Sequence, residues 1–272
     1  MSGRYGRVLA ALVNGLTVPQ RGWHRAHTRL QVANALFQQH AVETRQGTLV
    51  FVSTHPQALL FPQYHATREP ETIDWIDGFA APATFWDIGA NVGEFTLYAA
   101  LQPGISVLAF EPAAASYAAL CRNIAANGCG DRVQAYCVAL DRKTRLGSLN
   151  LSSAEPGGHG NAFAGGDGSL GRPRIGARQA TIGFAIDDFR RQFAVPAPNY
   201  LKIDVDGTEE EILAGAAGTL ADPALRSLLV ELEEADTPRK ARIAECLAAA
   251  GFRPGARGAG QGGVANLLFV RR

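Results

Sequence analysis

Lysine is nearly absent. Only Lys143, Lys202 and Lys240 occur among 26 cationic residues, and arginine supplies the rest. That is a compositional bias of the genome first and a capacity for anion recognition second. An excess of either charge is missing too. The 26 Lys and Arg face 25 Asp and Glu, a formal net charge of +1, which argues against a dedicated nucleic-acid surface. Cysteine is sparse: Cys121, Cys129, Cys137 and Cys246 form no C-x-x-C pair, so reduced structural thiols in a cytoplasmic protein are expected. No apolar run approaches the length that spans a bilayer. Arg4 and Arg7 precede the run Val8–Val13, but Asn14 interrupts it and no A-x-A site follows, so a short amphipathic helix is expected in place of a signal peptide. No low-complexity sequence dominates, and 47% of the 272 residues are apolar. That suffices for a packed core in one large domain, or one domain plus an extension.

The most informative stretch is Thr84–Thr96, TFWDIGANVGEFT. Phe85–Ile88 reads as a buried strand. Two glycines spaced G-x-x-x-G follow, then an apolar run that reads as a helix. Such a strand, tight turn and helix N-terminus let backbone approach a ligand closely. A second apolar run, Val107–Phe110, ends in Glu111-Pro112. An acid at that distance, on the tip of the next strand, is placed to take two ribose hydroxyls. The spacing D-x-G-x-N-x-G lacks the third glycine of a dinucleotide loop, where a pyrophosphate sits on the helix. It suits S-adenosylmethionine, with Asp87 facing the cationic end of the ligand. The competing reading is a structural turn in another doubly wound domain.

Four blocks carry a wider resemblance: Arg68–Thr72, Asp87–Thr96, Val138–Asp141 and Leu201–Glu209 (LKIDVDGTE). Together they resemble the FkbM-type methyltransferases. The resemblance implies a Rossmann-like α/β class I methyltransferase sheet, mostly parallel with an antiparallel final hairpin, flanked by helices at residues 68–272. It implies S-adenosyl-L-methionine as cofactor and S-adenosyl-L-homocysteine as product. The cofactor set is then Glu69 at the ligand's edge, Asp87, Gly89, Asn91, Gly93, Thr96, Glu111 and Pro112. Ala139, Leu140 and Asp141, at the third strand end, would line the adenine, although Asp141 also reads as a plain Asx cap. Gly158-His159-Gly160-Asn161 resembles a family motif, and Glu231 resembles the acid kept at a strand end facing the substrate cleft. Where the family usually carries Glu, this chain has Asp206, which leaves the role of that position open.

Residues 1–67 read as an N-terminal extension of helix and hairpin. Residues 1–45 are taken as helical on the stripe Leu30, Ala33, Phe37 and Val42; His24 and His27 are a solvated or partly packed pair. Gly47–Val52 is a strand, with Ala58–Phe61 as its hairpin partner. Helices are expected over Glu71–Phe79 and Ala113–Asn127, the latter stopped by Asn127-Gly128, and a strand over Val133–Val138. Three βα repeats should follow the glycine loop. Residues 152–178 contain eight glycines and read as a long loop over the sheet's carboxyl edge, a candidate substrate lid. Then come strand Gln179–Phe184, a helix near Asp187–Phe189, strand Tyr200–Val205, helix Glu209–Leu213, strand Leu225–Leu232, helix Arg239–Ala250 and strand Ala265–Val270. The short connection at 254–264 leaves no room for a helix, which predicts the antiparallel hairpin.

Methyl transfer from a sulfonium is an in-line displacement on an activated electrophile, so the protein mainly positions, worth up to about 7–11 kcal/mol. An alcohol acceptor also needs its proton removed or a metal to acidify it. Lys202 and Asp204 share one face of a period-2 strand, an expensive arrangement unless paired or functional. The catalytic candidates are Asp204 as leading contact to the acceptor, His159 as a titratable base, Lys202 and Glu231, with Asp206 beside them. General-base catalysis without metal is preferred; Mg²⁺ held by Asp204 and a second acid is the alternative. The expected reaction is O-methylation of a small hydroxyl-bearing acceptor, a natural product or a sugar, in bacterial secondary metabolism, with no nucleic acid and no membrane span; a dimer is compatible with these residues. The alternatives are a nicotinamide-dependent oxidoreductase and a cofactor-binding but inactive methyltransferase-like domain.

Overall fold

A seven-stranded sheet carries the chain's chemistry at one edge. The computed structural model describes all residues except 1, 36–37, 54, 56, 61, 63–64, 164–175 and 259–262. They form two compact units, residues 1–39 and 40–272, where the sequence suggested a division at 67/68. The first unit contains helices α1 (Ser2–Leu16) and α2 (Gly22–Ala35). Arg29 Nε donates to Thr17 Oγ1 at 2.9 Å across their turn, and the His27 ring stacks on Trp23 at 4.5 Å.

The second unit opens with a two-stranded sheet of β1 (Gln38–Thr44) and β2 (Gly47–Ser53). This corrects the helical reading of 1–45 and the hairpin partner expected at 58–61. Val42 only approximates the stripe of Leu30 and Ala33; α2 stops at Ala35 and Val42 is buried from a strand; Phe37 lies outside the described residues. Thr44 Oγ1 bonds within the tight turn to the Gly47 carbonyl, which fixes the strand pair. Gln57–Leu60 is instead one turn of helix, α3, and Phe61 is outside the described residues. The next helices are α4 (His65–Arg68) and α5 (Pro70–Asp77).

The central sheet runs β12-β13-β11-β10-β3-β4-β5. Its members are β3 (Ala83–Ile88), β4 (Ile105–Phe110), β5 (Val133–Tyr136), β10 (Tyr200–Ile203), β11 (Ser227–Glu233), β12 (Phe252–Arg257) and β13 (Val264–Arg271). The first five pair in parallel, and β13 enters antiparallel between β11 and β12. The late hairpin expected from the short 254–264 connection is present; residues 259–262 of it lie outside the described set. Helices α6 (Glu94–Leu101), α7 (Ala114–Ala126), α8 (Ile186–Phe193), α9 (Glu209–Ala214), α10 (Ala217–Ala221) and α11 (Thr237–Ala249) complete the unit. Strand side chains alternate between two cores. Phe85, Val107 and Ala109 join Ile73, Leu97 and Tyr98 in one. Trp86, Ile88, Leu108 and Phe110 join Phe189, Leu201 and Leu213 in the other. Both faces are therefore covered, which is why these strands read as unbroken apolar runs.

The region between β5 and β10 departs from the expected βα repeat. A second, four-stranded sheet, order β6-β9-β7-β8, is inserted there. It consists of β6 (Ala139–Leu140), β7 (Arg145–Leu151), β8 (Ala162–Phe163) and β9 (Ala177–Phe184). The long lid expected at 152–178 is thus divided by strands; its residues 164–175 are outside the described set. The glycine content hid β7 and β8, whose polar and small residues give no apolar alternation. Strand β5 ends at Tyr136, and Ala139-Leu140 turns away to pair with Gly183-Phe184.

Candidate active site

The carboxyl ends of β3, β4, β10 and β11 surround a cavity of about 450 Å³, a size typical of small-ligand sites. At its centre the chain turns at Gly89, with φ +85°. The amides of Gly89 and Ala90 both donate to the Phe110 carbonyl, at 2.9 and 3.1 Å, and Asp204 N donates to Ile88 O at 2.9 Å. A Cβ at Gly89 would lie 1.8 Å from the Asp204 carbonyl oxygen. The space a side chain would fill therefore belongs to the neighbouring strand end, and the glycine is required by the β3–β10 junction before any ligand arrives. Gly89→Ala should lower unfolding stability by at least about 2 kcal/mol, from strain at positive φ plus overpacking. Thermal unfolding checks this; a variant melting with the parent would contradict the junction role. Gly93 caps α6 at φ +94°, and its Cβ would meet Leu120 Cδ1 at 2.5 Å. Its smallness lets α7 pack close, and it does not line the cavity.

Glu111 is buried where the sequence placed it, at the tip of β4. Its two oxygens accept from Asn91 N and Ala113 N, each at 2.8 Å. Burial pushes its carboxyl up to about 7, against the pull of those two amides. Asp87, one strand over, accepts from Thr96 Oγ1 at 2.5 Å through Oδ2. Its Oδ1 is buried with no hydrogen-bond partner among the described residues, and so is Asn91 Oδ1. Buried polar atoms are rarely left unpaired, and both residues line the cavity. They fit a ligand that brings donors. Thr96 itself is fully buried behind Asp87; it orients that carboxylate and does not reach the cavity.

The pairing of β10 with β3 sets Lys202 directly beside Asp87, and its pairing with β11 sets it beside Leu229. Continuing that register past Ile203 brings Asp204 level with Glu231 on the same face. Lys202 is only 1% exposed, makes an ion pair with Asp204 and stands 4.8 Å over the Phe95 ring. Burial alone would lower the lysine pKa; Asp204, Glu69, Asp87 and Glu231 outweigh it and hold the ammonium above its ordinary value. Burial also acts to raise Asp204, but Lys202 wins and keeps that carboxylate below its usual range. Glu231 goes the other way: burial first, then the Asp204 charge, push it up to about 10. The pair is thereby divided, Asp204 held toward its ionised form and Glu231 toward its protonated form. Carboxylate oxygens of Glu69, Asp204 and Glu231 lie within 4.8 Å of one another. Glu69 accepts from Arg68, Thr72 and Asn266 at 2.8–3.2 Å, so it backs the cluster from behind and is not among the residues that line the cavity.

One segment of the inserted region reaches the cavity, residues 158–161. Gly160 N and Asn161 N donate to Asp206 Oδ2 at 2.7 and 3.0 Å, and Asn91 Nδ2 donates to Gly158 O at 3.2 Å. His159 is thereby brought to the wall. Asp206 has a structural task here, anchoring this segment, which the sequence left open. Asp206→Ala should raise amide hydrogen exchange at 160 and 161 at least about tenfold, by loss of charge-assisted bonds, while Asp206→Glu should stay near the parent. Unchanged protection in Asp206→Ala would remove the anchor.

Of the residues singled out from sequence, Asp87, Gly89, Asn91, Glu111, Pro112, His159, Lys202, Asp204 and Glu231 line one cavity. Ala139, Leu140 and Asp141 do not. Their backbone is spent on the β6–β9 ladder, and Asp141 pairs with Arg145 at 2.6 Å, so the structure leaves them off the cavity's lining. Missed were Arg68, Glu94 and Glu209, which also line it. Glu209 heads α9 in the sequence reading as a helix-dipole acid, yet it is buried and pushed up to about 7, chiefly by burial. The acids raised by burial bind protons more tightly folded than unfolded. Their stabilisation is whole below about pH 4.5 and is lost as pH rises, by about 7 for Glu111 and Glu209 and about 10 for Glu231. The melting temperature of the ligand-free chain should therefore fall between pH 5 and pH 9, by roughly 2–4 °C for each kcal/mol lost; a rise over that range would contradict these shifts.

The fold and this site define a class I, S-adenosylmethionine-type methyltransferase architecture. Residues 87–254, more than half of the chain, match the family described as Methyltransferase FkbM domain, and the chain belongs to that family. It is 32% identical over 175 residues to 31-O-demethyl-FK506 methyltransferase FkbM of Streptomyces tacrolimicus, a match covering 56% of this chain and 65% of that protein's length. In structure it is similar to the Methyltransferase FkbM of Methylobacillus flagellatus KT, with a TM-score of 0.53 and 14% identity over 79% of this chain and 52% of that one.

Proposed function

We propose that this protein is an S-adenosylmethionine-dependent O-methyltransferase that acts on a hydroxyl of a small natural product or sugar. The observation that carries the reading is the charge of the cavity. Asp87, Glu94, Glu111, Asp204, Asp206, Glu209, Glu231 and Glu233 line it against Arg68 and Lys202. Glu231 is held toward its protonated form, and Glu111 and Glu209 are pushed up to about 7. Even so, the other five acids outnumber the two cations, so a pyrophosphate would be repelled there, whereas a ligand with an ammonium and a sulfonium is drawn in. When bound, S-adenosylmethionine supplies a methyl group already activated on positive sulfur. Glu111 would accept from the ribose hydroxyls, and the free oxygen of Asp87 would face the cationic end.

At the other end, Lys202 keeps Asp204 ionised, and Asp204 accepts the acceptor's hydroxyl proton as the methyl arrives. Glu231, holding its own proton, keeps a second negative charge away from that carboxylate. His159 is the other base on the wall. O-direction is supported by the relative whose name specifies 31-O-demethyl-FK506. The Glu69–Asp204–Glu231 cluster has a cation's spacing, yet the Lys202 ammonium already occupies Asp204. Turnover should therefore survive chelation by EDTA. Activity lost to EDTA and restored by Mg²⁺ would place the ion in the cluster. The four thiols are unpaired, in keeping with a reducing cytoplasmic setting.

The test is acceptor-dependent release of S-adenosylhomocysteine across a panel of polyketides and sugars, with the product's methyl position read by mass spectrometry and NMR. Methylation at oxygen is expected. Transfer to nitrogen or carbon would overturn the O-directed reading, and tight cofactor binding without turnover on any acceptor would favour an inactive domain.

A further inference from the structure

The N-terminal unit is absorbed by none of this chemistry. Its helix α1 carries Tyr5, Leu9, Leu12 and Leu16 on a single stripe, and these are 55–80% exposed. On α2, Trp23 and Leu30 recur seven residues apart and are 69% and 62% exposed. Apolar side chains scattered singly on a surface need no explanation, but a stripe repeated along a helix marks an interaction face. The charge around it is of one sign. Residues 1–42 hold Arg4, Arg7, Arg21, Arg25 and Arg29 and no acid, the first being Glu43, although the whole chain is balanced to +1.

That pairing selects among occupants. A second copy of the unit would bring five more arginines against the first five. An apolar stripe with an exposed tryptophan, on helices whose charged residues are all arginines and lie mostly on the other face, is the composition of helices that lie in the headgroup region of an anionic bilayer. With 15 residues, α1 is too short to span a membrane, and no described helix is long and apolar enough to cross one. We propose that the N-terminal helix pair docks on an anionic lipid surface, α1 lying in its plane with the leucine stripe inward, Arg4 at the flank, and the acid-free arginine charge of the unit supplying attraction to the lipid phosphates. The proposal is independent of the methyl-transfer reading.

The full chain is sedimented with phosphatidylcholine vesicles with and without about one third phosphatidylglycerol. Binding is expected only with the anionic lipid and should weaken at least about tenfold when salt is raised, because surface charge is screened. Leu9→Glu with Leu12→Glu should abolish it. Arg4→Gln with Arg7→Gln, which leaves the apolar stripe intact, should weaken it about tenfold. S-adenosylhomocysteine binding in both variants should equal the parent's, which separates lost docking from lost folding. Equal binding to neutral vesicles, or none to either, overturns the proposal. Self-association abolished by the leucine pair, with no vesicle binding, makes the occupant a second copy and overturns it too.

Discussion

Asp204→Asn should cut kcat by about 10²–10⁴, the usual range for loss of a positioned base, and leave S-adenosylhomocysteine affinity within about threefold. The asymmetry follows from position. Asp204 stands past the end of β10, level with Glu231 and away from Glu111, and it is the partly exposed member of a pair whose other member, Lys202, is buried. Replacing the carboxylate by an amide keeps the shape and removes both the base and the ion pair. Lys202 retains Glu69, Asp87 and Glu231 nearby, so the folded chain should persist. A merely structural ion pair would instead show as a lower melting temperature with kcat near the parent's. Asp204→Glu should recover part of the turnover. Stopped-assay kinetics on any acceptor that turns over separate these outcomes.

Glu111→Gln should weaken S-adenosylhomocysteine binding by about 1.5–3 kcal/mol, roughly 10- to 150-fold, the scale of charge-assisted hydrogen bonds. Glutamine is the better probe than alanine, because the parent side chain also accepts from Asn91 N and Ala113 N, and its carbonyl can keep one of them. A pH signature belongs to the same residue. Ribose hydroxyls donate best to the ionised carboxylate, and Glu111 is pushed up to about 7 when no ligand is bound. Affinity should therefore fall as pH drops below 7 in the parent and stay flat in Glu111→Gln. A flat parent profile would mean that Glu111 does not meet the ligand.

Sequence patterning reported the parallel core because its inner strands β3, β4 and β10 are buried on both faces and end at an acid. Asp87 and Glu111 were legible for the same reason: strand ends are where polarity returns. The antiparallel final hairpin was legible from the length of a connection. Of the inserted sheet only Gln179–Phe184 was legible, since Arg145–Leu151 is interrupted by Gly147 and Ser148 and the other two strands are two residues long. Its presence is what carries Ala139–Asp141 off the central sheet and away from the cavity. Gly89 and Thr96 were found by motif but for a different physical role, one making room for a backbone carbonyl and the other orienting Asp87. The anchoring of residues 158–161 by Asp206 links positions 45 residues apart, a distance no local pattern reports. The protonated state of Glu231 likewise depends on burial and on Asp204, which only the register of β10 against β11 brings beside it.

The acid-lined cavity should be an S-adenosylmethionine site. Titration calorimetry of the full chain with S-adenosylhomocysteine, with NADH run alongside, tests it most directly. Micromolar binding of S-adenosylhomocysteine, about 8 kcal/mol, is expected, and none of NADH. Binding of NADH, or of neither ligand, would contradict it.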